Sequence, residues 1–254
     1  MLFAIDVGNT NITYGLYQGD RLDGRWRIST NPKRMPDEYG LQLIDMLRHD
    51  DVMFEDIDGI IMSSVVPPVT TYLCEAFNRF FKIEPLVIDH TTKTGVKIKI
   101  DEPSSIGADR IVNAVAVQQF YGGPACIIDF GTATTFDAID ENTDYVGGAI
   151  TPGVHVAEEA LFLRTSKLPR VEIKTPPNVI GRNTVQAIQS GLLFGYVSLV
   201  EGMIRRFADE LGSDMKVVAT GGLATVISKE TDTIQYTCPW LTLDGLRLIW
   251  ELNQ

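Results

Sequence analysis

Two short stretches of the 254-residue chain carry the same arrangement of reactive side chains. "LFAIDVGNTNITYGLY" begins at Leu2 and "ACIIDFGTATTFDAID" begins at Ala125. Each has an apolar run, an Asp-x-Gly, and then a cluster of hydroxyl and amide side chains. Aligning Asp6 with Asp129 puts Gly8 on Gly131, Asn9 on Thr132, Asn11 on Thr134, and Thr13 near Thr135. Glycine lets the backbone turn tightly and approach a ligand closely. The N–H groups that follow, with Asn and Thr side chains, can donate to anionic oxygens. A carboxylate repels phosphate, but it can hold a cation that binds phosphate, such as hydrated Mg²⁺. Two such hairpins facing across a cleft would hold a polyphosphate from both sides. A single Asp-x-Gly is more simply a strand end whose Asp caps the turn. Its recurrence in two hydroxyl-rich copies favours phosphate. The chain has no G-x-x-x-x-G-K-[ST] and no G-x-G-x-x-G, so neither a P-loop nor a Rossmann fingerprint is present.

A second group of candidates lies in "SIGADRIVNAV". Gly107 ends a loop, and a helix is expected to begin near Asp109. By spacing alone, Asp109 is an acid facing a helix N-terminus. Arg110 is by the same measure a surface ion-pair residue. In "GRNTVQAI", Asn183 or Thr184 reads as a helix N-cap. His90 and His155 read as surface or structural residues, and Arg164, Lys167 and Arg170 as a solvated basic face.

The elements around these residues follow from periodicity. Residues 2–5, 12–17 and 24–29 read as strands, with "QGD" as a turn. "DEYGLQLIDMLRHD" spaces Tyr39, Leu43, Met46 and Leu47 helically, with Asp37 as the expected N-cap. A strand at 59–66, an amphipathic helix at "VTTYLCEAFNRFF" and a strand at 85–88 follow. The order β-β-β-α-β-α-β favours an α/β architecture. After Gly122-Gly123-Pro124 the pattern restarts with strands at "ACIID", "TTFDAID" and "YVGGAI". A helix is expected at 153–163 and a long helical stretch from Thr184 to Leu211. Gly191, Gly195 and Gly202 either interrupt that stretch or mark close helix packing. "MKVVAT" reads as a strand and "LDGLRLIWEL" as a closing helix. These patterns predict a duplication, with halves at 1–122 and 123–254 and a ligand cleft between them.

Composition narrows the function. Asp and Glu total 33 against 22 Lys and Arg, so the chain lacks the basic field that nucleic acid or an anionic membrane attracts. Three cysteines without a C-x-x-C pair, and three scattered histidines, argue against a zinc site or disulfide framework. No basic leader precedes "MLFAIDVG", and no run reaches the roughly 18 apolar residues of a membrane span. The expected location is the cytoplasm.

The two hairpins resemble the phosphate loops of the superfamily that includes actin, hexokinase and acetate kinase. "ATGGLA" (219–224) resembles its adenosine-proximal Gly-Gly loop. "DVGNTN", "MSSVVPP", "GADRIVNAV", "DFGTATTFD", "GGAITPG" and "GRNTVQAIQSG", in this order, look like the type III pantothenate kinase family. The resemblance implies duplicated actin-like (ribonuclease H-like) domains, each a mixed sheet flanked by helices. It implies ATP-dependent phosphorylation of pantothenate, the first step toward coenzyme A, by a cytoplasmic homodimer with its site near the dimer interface. ATP would come with Mg²⁺, and a monovalent cation, K⁺ or NH₄⁺, would be required.

The same resemblance implies the roles. Asp109 is the base that accepts the hydroxyl proton. Asp6, Val7, Gly8, Asn9, Thr10, Asn11, Ile12, Thr13 and Thr132 contact ATP, with Asp6 acting on Mg²⁺ through the phosphates. Gly107, Ala108, Asp109 and Arg110 contact pantothenate, Arg110 at its carboxylate, and Thr184 joins them. Asp129 holds the monovalent cation. One substrate position departs from the family: Ile100 stands where Tyr is common, removing a hydroxyl and an aromatic face. Two other readings remain: a non-catalytic accessory factor in gene expression, and a kinase for another small acid or a sugar.

Overall fold

The computed structural model describes all 254 residues. Two compact units form, Met1–Gly95 with Asp101–Ala116 and Thr242–Gln254, and Val96–Ile100 with Val117–Leu241. A division at 122/123 separates the two sheets but not the units, because the closing helix belongs to the first.

The first unit is built on five strands: β1 (Leu2–Val7), β2 (Asn11–Gln18), β3 (Arg21–Ser29), β4 (Gly59–Ser64) and β5 (Leu86–Val87). Their order across the sheet is β3-β2-β1-β4-β5. The first three run antiparallel, and β4 and β5 join in parallel. Phe3, Ile5 and Val7 alternate onto one face and pack with Tyr14, Tyr39, Leu43, Met62, Leu73 and Phe77. The last five lie on or just after β4 and the helices α1 (Pro36–His49) and α2 (Pro67–Ala76), and α2 runs into one π-helical turn at Phe77–Phe81. The N-cap of α1 is Met35, not the expected Asp37. Its N–H donates to Glu38 at 2.7 Å. Pro36 fixes the first helical residue, and Asp37 instead pairs with Arg79 at 2.5 Å.

α3 (Ala108–Phe120) is apolar because it is interior. Ile111, Val112, Ala114, Val115, Ala116 and Val117 are all buried, and of its large apolar side chains only Phe120, at the end of the helix, is exposed. The closing helix, numbered α7 (Leu241–Leu252), is fastened to the first unit. Thr242 donates to Asn113 at 2.8 Å, and Tyr17 donates to Asp244 at 2.7 Å.

The second unit repeats the plan. Its strands are β6 (Ala125–Phe130), β7 (Ala133–Ile139), β8 (Tyr145–Pro152), β9 (Lys216–Gly221) and β10 (Tyr236–Thr237), in the order β10-β9-β6-β7-β8. Read from the other edge, this is the order and strand sense of the first sheet. Its helices are α4 (Val154–Arg164), α5 (Thr184–Leu211) and the short α6 (Ala224–Ile227). α5 is one continuous helix of 28 residues. A β-carbon on Gly191, Gly195 or Gly202 would meet nothing within 4 Å, so these glycines neither break it nor serve close packing. By length and composition α5 would suffice to cross a bilayer, a property that the core helix of a globular fold can share. Here its Ile188, Leu192, Val197, Val200 and Ile204 join the core of the second unit.

Candidate active site

The first hairpin is a tight turn set between β1 and β2. Gly8 N–H donates to the Asn11 carbonyl at 3.0 Å, and Thr30 holds the turn by donating to the Gly8 carbonyl at 2.6 Å. A β-carbon on Gly8 would stand 3.1 Å from the Asn11 carbonyl oxygen. Asn9, Thr10 and Asn11 are exposed, as ligand-facing side chains need to be. Val7 and Ile12, expected to contact ATP, are fully buried and pack into the core beneath the turn, so neither faces a ligand.

Strand register places Asp6 in a polar row across four strands. Asp6 on β1 stands opposite Ser63 on β4 and opposite Thr13 on β2, and Thr13 stands opposite Arg27 on β3. Residues in register share a face of the sheet. Ser63 is fully buried and donates to Asp6 Oδ1 at 2.6 Å. Desolvation, and then the charge of Asp109, push the Asp6 carboxyl up to about 7. The Ser63 hydrogen bond and the charge of Arg27 act the other way.

Asp109 reaches this neighbourhood from the first turn of α3. The Gly107 carbonyl accepts from Arg110 N–H at 3.1 Å and opens the helix. Asp109 Oδ1 accepts from Arg110 N–H at 2.9 Å. Desolvation raises the proton affinity of Asp109, opposed by that N–H and by the Arg110 charge. Asp109 therefore does face a helix N-terminus, and it is also a desolvated carboxyl beside Asp6. The first unit thus brings together the hairpin and the Gly107–Arg110 turn.

The second hairpin is one residue shorter. Asp6 pairs with Thr13 across residues 7–12, and Asp129 pairs with Thr135 across 130–134. The structural counterpart of Asn11 is therefore Ala133, not Thr134. Gly131 N–H donates to the Ala133 carbonyl at 3.0 Å, and Gly153 N–H to the exposed Thr132 at its carbonyl, 3.1 Å. The Asp129 carboxyl lies against Gly221, where φ is +89° and a β-carbon would collide with Asp129 Oδ1 and the Phe130 backbone. The row through Asp129 runs Thr220, Asp129, Thr135, Ile150, so the place of Arg27 is taken by an apolar residue.

Two predicted residues of the second unit stand away from this hairpin. Thr184 is exposed at the start of α5, behind the true N-cap Asn183, whose Oδ1 accepts from Gln186 N–H at 2.9 Å. It lines an open depression of about 660 Å³ with Leu161, Leu168, Arg182 and Ile188, to which the second hairpin does not contribute. Ile100 is half-buried and ends an extended segment whose Lys99 N–H donates to the Tyr145 carbonyl at 2.7 Å.

No three His, Cys, Asp or Glu side chains gather as a metal cage. Mg²⁺ does not need one, since it keeps several waters and is held by one or two carboxylates with substrate phosphates. Asp6 fits that role: it is a carboxyl beside a second carboxyl, at a turn with open amide and hydroxyl donors.

Ser63, Arg27 and Thr220 were not legible as site residues. Ser63 lies in "MSSVVPP" and Thr220 in "ATGGLA", but which strands lie beside β1 and β6, and so which carboxyl each hydroxyl meets, is a matter of topology.

Two sheets of identical order, each with an Asp-bearing hairpin between its first two strands, make up a duplicated actin-like fold. Solved structures agree on this fold. A chain from Campylobacter jejuni described as a Baf family transcriptional activator superposes with TM-score 0.63 at 18% identity, covering 99% of this chain and 98% of that one. Component A of the (R)-2-hydroxyglutaryl-CoA dehydratase of Acidaminococcus fermentans gives 0.58 at 12%, covering 100% and 99%. The sequence profile described as type III pantothenate kinase matches residues 2–206. A type III pantothenate kinase of an Exiguobacterium species is 50% identical over 254 residues, the full length of both chains. The chain belongs to the type III pantothenate kinase family.

Proposed function

We infer that this chain is a pantothenate kinase, which transfers the terminal phosphoryl group of ATP to the hydroxyl of pantothenate and so opens coenzyme A synthesis. The observation that carries this is the 50% identity to a type III pantothenate kinase along the whole chain. The first hairpin and the carboxyl pair beside it agree in chemistry.

In this reading Asp109 accepts the proton of the attacking hydroxyl. Phosphoryl transfer needs positioning and charge neutralisation more than covalent chemistry, and a base works best with a proton affinity near the working pH. Desolvation moves Asp109 in that direction. Gly107, Ala108 and Arg110 hold the substrate, the Arg110 guanidinium pairing with its carboxylate. Asn9, Thr10, Asn11 and Thr13, with the Gly8 backbone, orient the phosphates. A divalent cation at Asp6, bound with the phosphates, would supply neutralising charge.

We further assign Thr132 to ATP, Asp129 to a monovalent cation, K⁺ or NH₄⁺, and Ile100 and Thr184 to pantothenate. Close approach of the Gly221 backbone to Asp129 suits a small oxygen-lined cation site. The reading includes a homodimer, supported by the exposed apolar side chains of Leu161, Leu163, Val179, Ile180 and Val185, of which Leu161 lines the same depression as Thr184. It includes a cytoplasmic location, and neither nucleic acid nor membrane as partner, in keeping with a net charge of −11.

The test is phosphorylated product, identified by mass, from ATP and a panel of pantothenate, acetate and simple sugars. Product from pantothenate alone supports the assignment. Product from acetate or a sugar, or none at all with K⁺ and Mg²⁺ present, contradicts it.

A further inference from the structure

We propose that Ser63 is a positioning residue for the reaction, its hydroxyl fixing the orientation of the Asp6 carboxylate. The inference rests on reading the first hairpin as the ATP phosphate loop.

Ser63 is the penultimate residue of β4, directly opposite Asp6 in the parallel pair β1–β4. Its hydroxyl has one proton to give, and the 2.6 Å bond to Asp6 Oδ1 takes it. A carboxyl at a strand end can rotate about two side-chain bonds. A fully buried donor at fixed register removes that freedom, and it reserves one oxygen and leaves the other for outside work.

The neighbouring serine shows that this is not a general need of the strand end. Ser64 points to the opposite face, where its oxygen accepts from Val66 N–H at 3.1 Å and from Thr70 Oγ1 at 2.6 Å. Ser64 thus serves the start of α2, whereas Ser63 serves Asp6. The second sheet places a hydroxyl residue at the same register. Thr220 on β9 stands opposite Asp129 in the same parallel register and is also buried. Alanine or valine would fill either interior position without the difficulty of burying a hydroxyl. A buried hydroxyl beside each loop carboxyl, at equivalent places in two sheets, points to the carboxyl as its purpose.

Outer partners of a metal-directed ligand typically matter by 10–100-fold. The experiment measures ATP affinity by calorimetry with Mg²⁺ and with EDTA, alongside kcat, KM for ATP and Tm. It uses the full chain and Ser63→Ala, Ser63→Cys, Ser63→Thr, Asp6→Asn and the Asp6→Asn/Ser63→Ala pair. The expected result is that Ser63→Ala weakens ATP binding about tenfold with Mg²⁺ and leaves it unchanged in EDTA. Ser63→Thr, the residue type used beside Asp129, restores it. Adding Ser63→Ala to Asp6→Asn changes nothing further. Equal weakening with and without Mg²⁺, parental binding in Ser63→Ala, or additive effects of the two substitutions would overturn the proposal. Where Ser63→Ala does not fold, Ser63→Cys keeps the volume, weakens the donor and is read by the same criteria. If Asp6→Asn abolishes the Mg²⁺ dependence and Ser63→Ala does not touch it, this inference alone fails. If Asp6→Asn leaves that dependence intact, the phosphate-loop reading fails and takes the inference with it.

Discussion

A β-carbon built on Gly107 would stand 2.5 Å from Oδ1 of Asp109. The glycine two residues before the proposed base is therefore the space that the base occupies. Gly107→Ala must push the carboxyl aside, since the Gly107 carbonyl already opens α3 and cannot move freely. Small displacements of a reacting group can cost about a hundredfold in rate. The expected outcome is a fall in kcat of about 10–100-fold, with Tm changed by a few degrees at most. Steady-state kinetics and a thermal melt check it.

Asp6 gives a pH dependence of stability. Its carboxyl titrates near 7 in the folded chain and near its ordinary 3.8 when unfolded. Between those values the folded state holds a proton that the unfolded state has released. Stability therefore falls as pH rises through that window and levels off above it. Asp109 and Asp244, both raised by desolvation, add to the same slope. Asp6→Asn removes one contribution, so without ATP or metal it should be more stable than the parent at pH 8 and nearly equal at pH 4.5. Urea unfolding at the two pH values measures this, and an equal difference at both would refute it.

Asp137 is a fully buried carboxyl on β7, held by Tyr145 Oη at 2.8 Å and Thr135 Oγ1 at 3.1 Å. Tyr145→Phe removes the stronger donor from a buried acceptor. The expected loss is about 1–3 kcal/mol. Chemical denaturation would show it as a lower midpoint with an unchanged slope.

Gly202 lies inside α5 with open space where a side chain would be. Gly202→Ala should stabilise the chain by about 0.5–1 kcal/mol, because alanine loses less backbone freedom in a helix. A raised Tm with unchanged kcat is the expected outcome, and a lowered Tm would mean that a partner packs against that face.

Much of the fold could be read from periodicity because strands and helices here have one clear apolar face each. The run Phe3, Ile5, Val7 and the spacing of Tyr39, Leu43 and Leu47 are examples. The duplication was visible in the two Asp-x-Gly hairpins. What the sequence hid was long-range. Ser63 and Arg27 join Asp6 only through register between strands far apart in the chain. The apolar run of α3 is surrounded by the rest of the chain, and nothing local in its sequence says so. α7 follows the second sheet in sequence but packs on the first unit, through contacts such as Tyr17 with Asp244. Met35 displaced Asp37 as the cap because Pro36 and Glu38 supply the first-turn geometry and acceptor.

The most direct test of the account is pantothenate-dependent turnover in Asp109→Asn, measured as ADP release beside calorimetric ATP binding and a thermal melt. Asparagine keeps the shape and cannot take the proton. The account predicts a fall in kcat of about 10²–10⁴-fold with ATP affinity and Tm close to the parent. Turnover within a few-fold of the parent would contradict it, and the proton would then have to go elsewhere than Asp109.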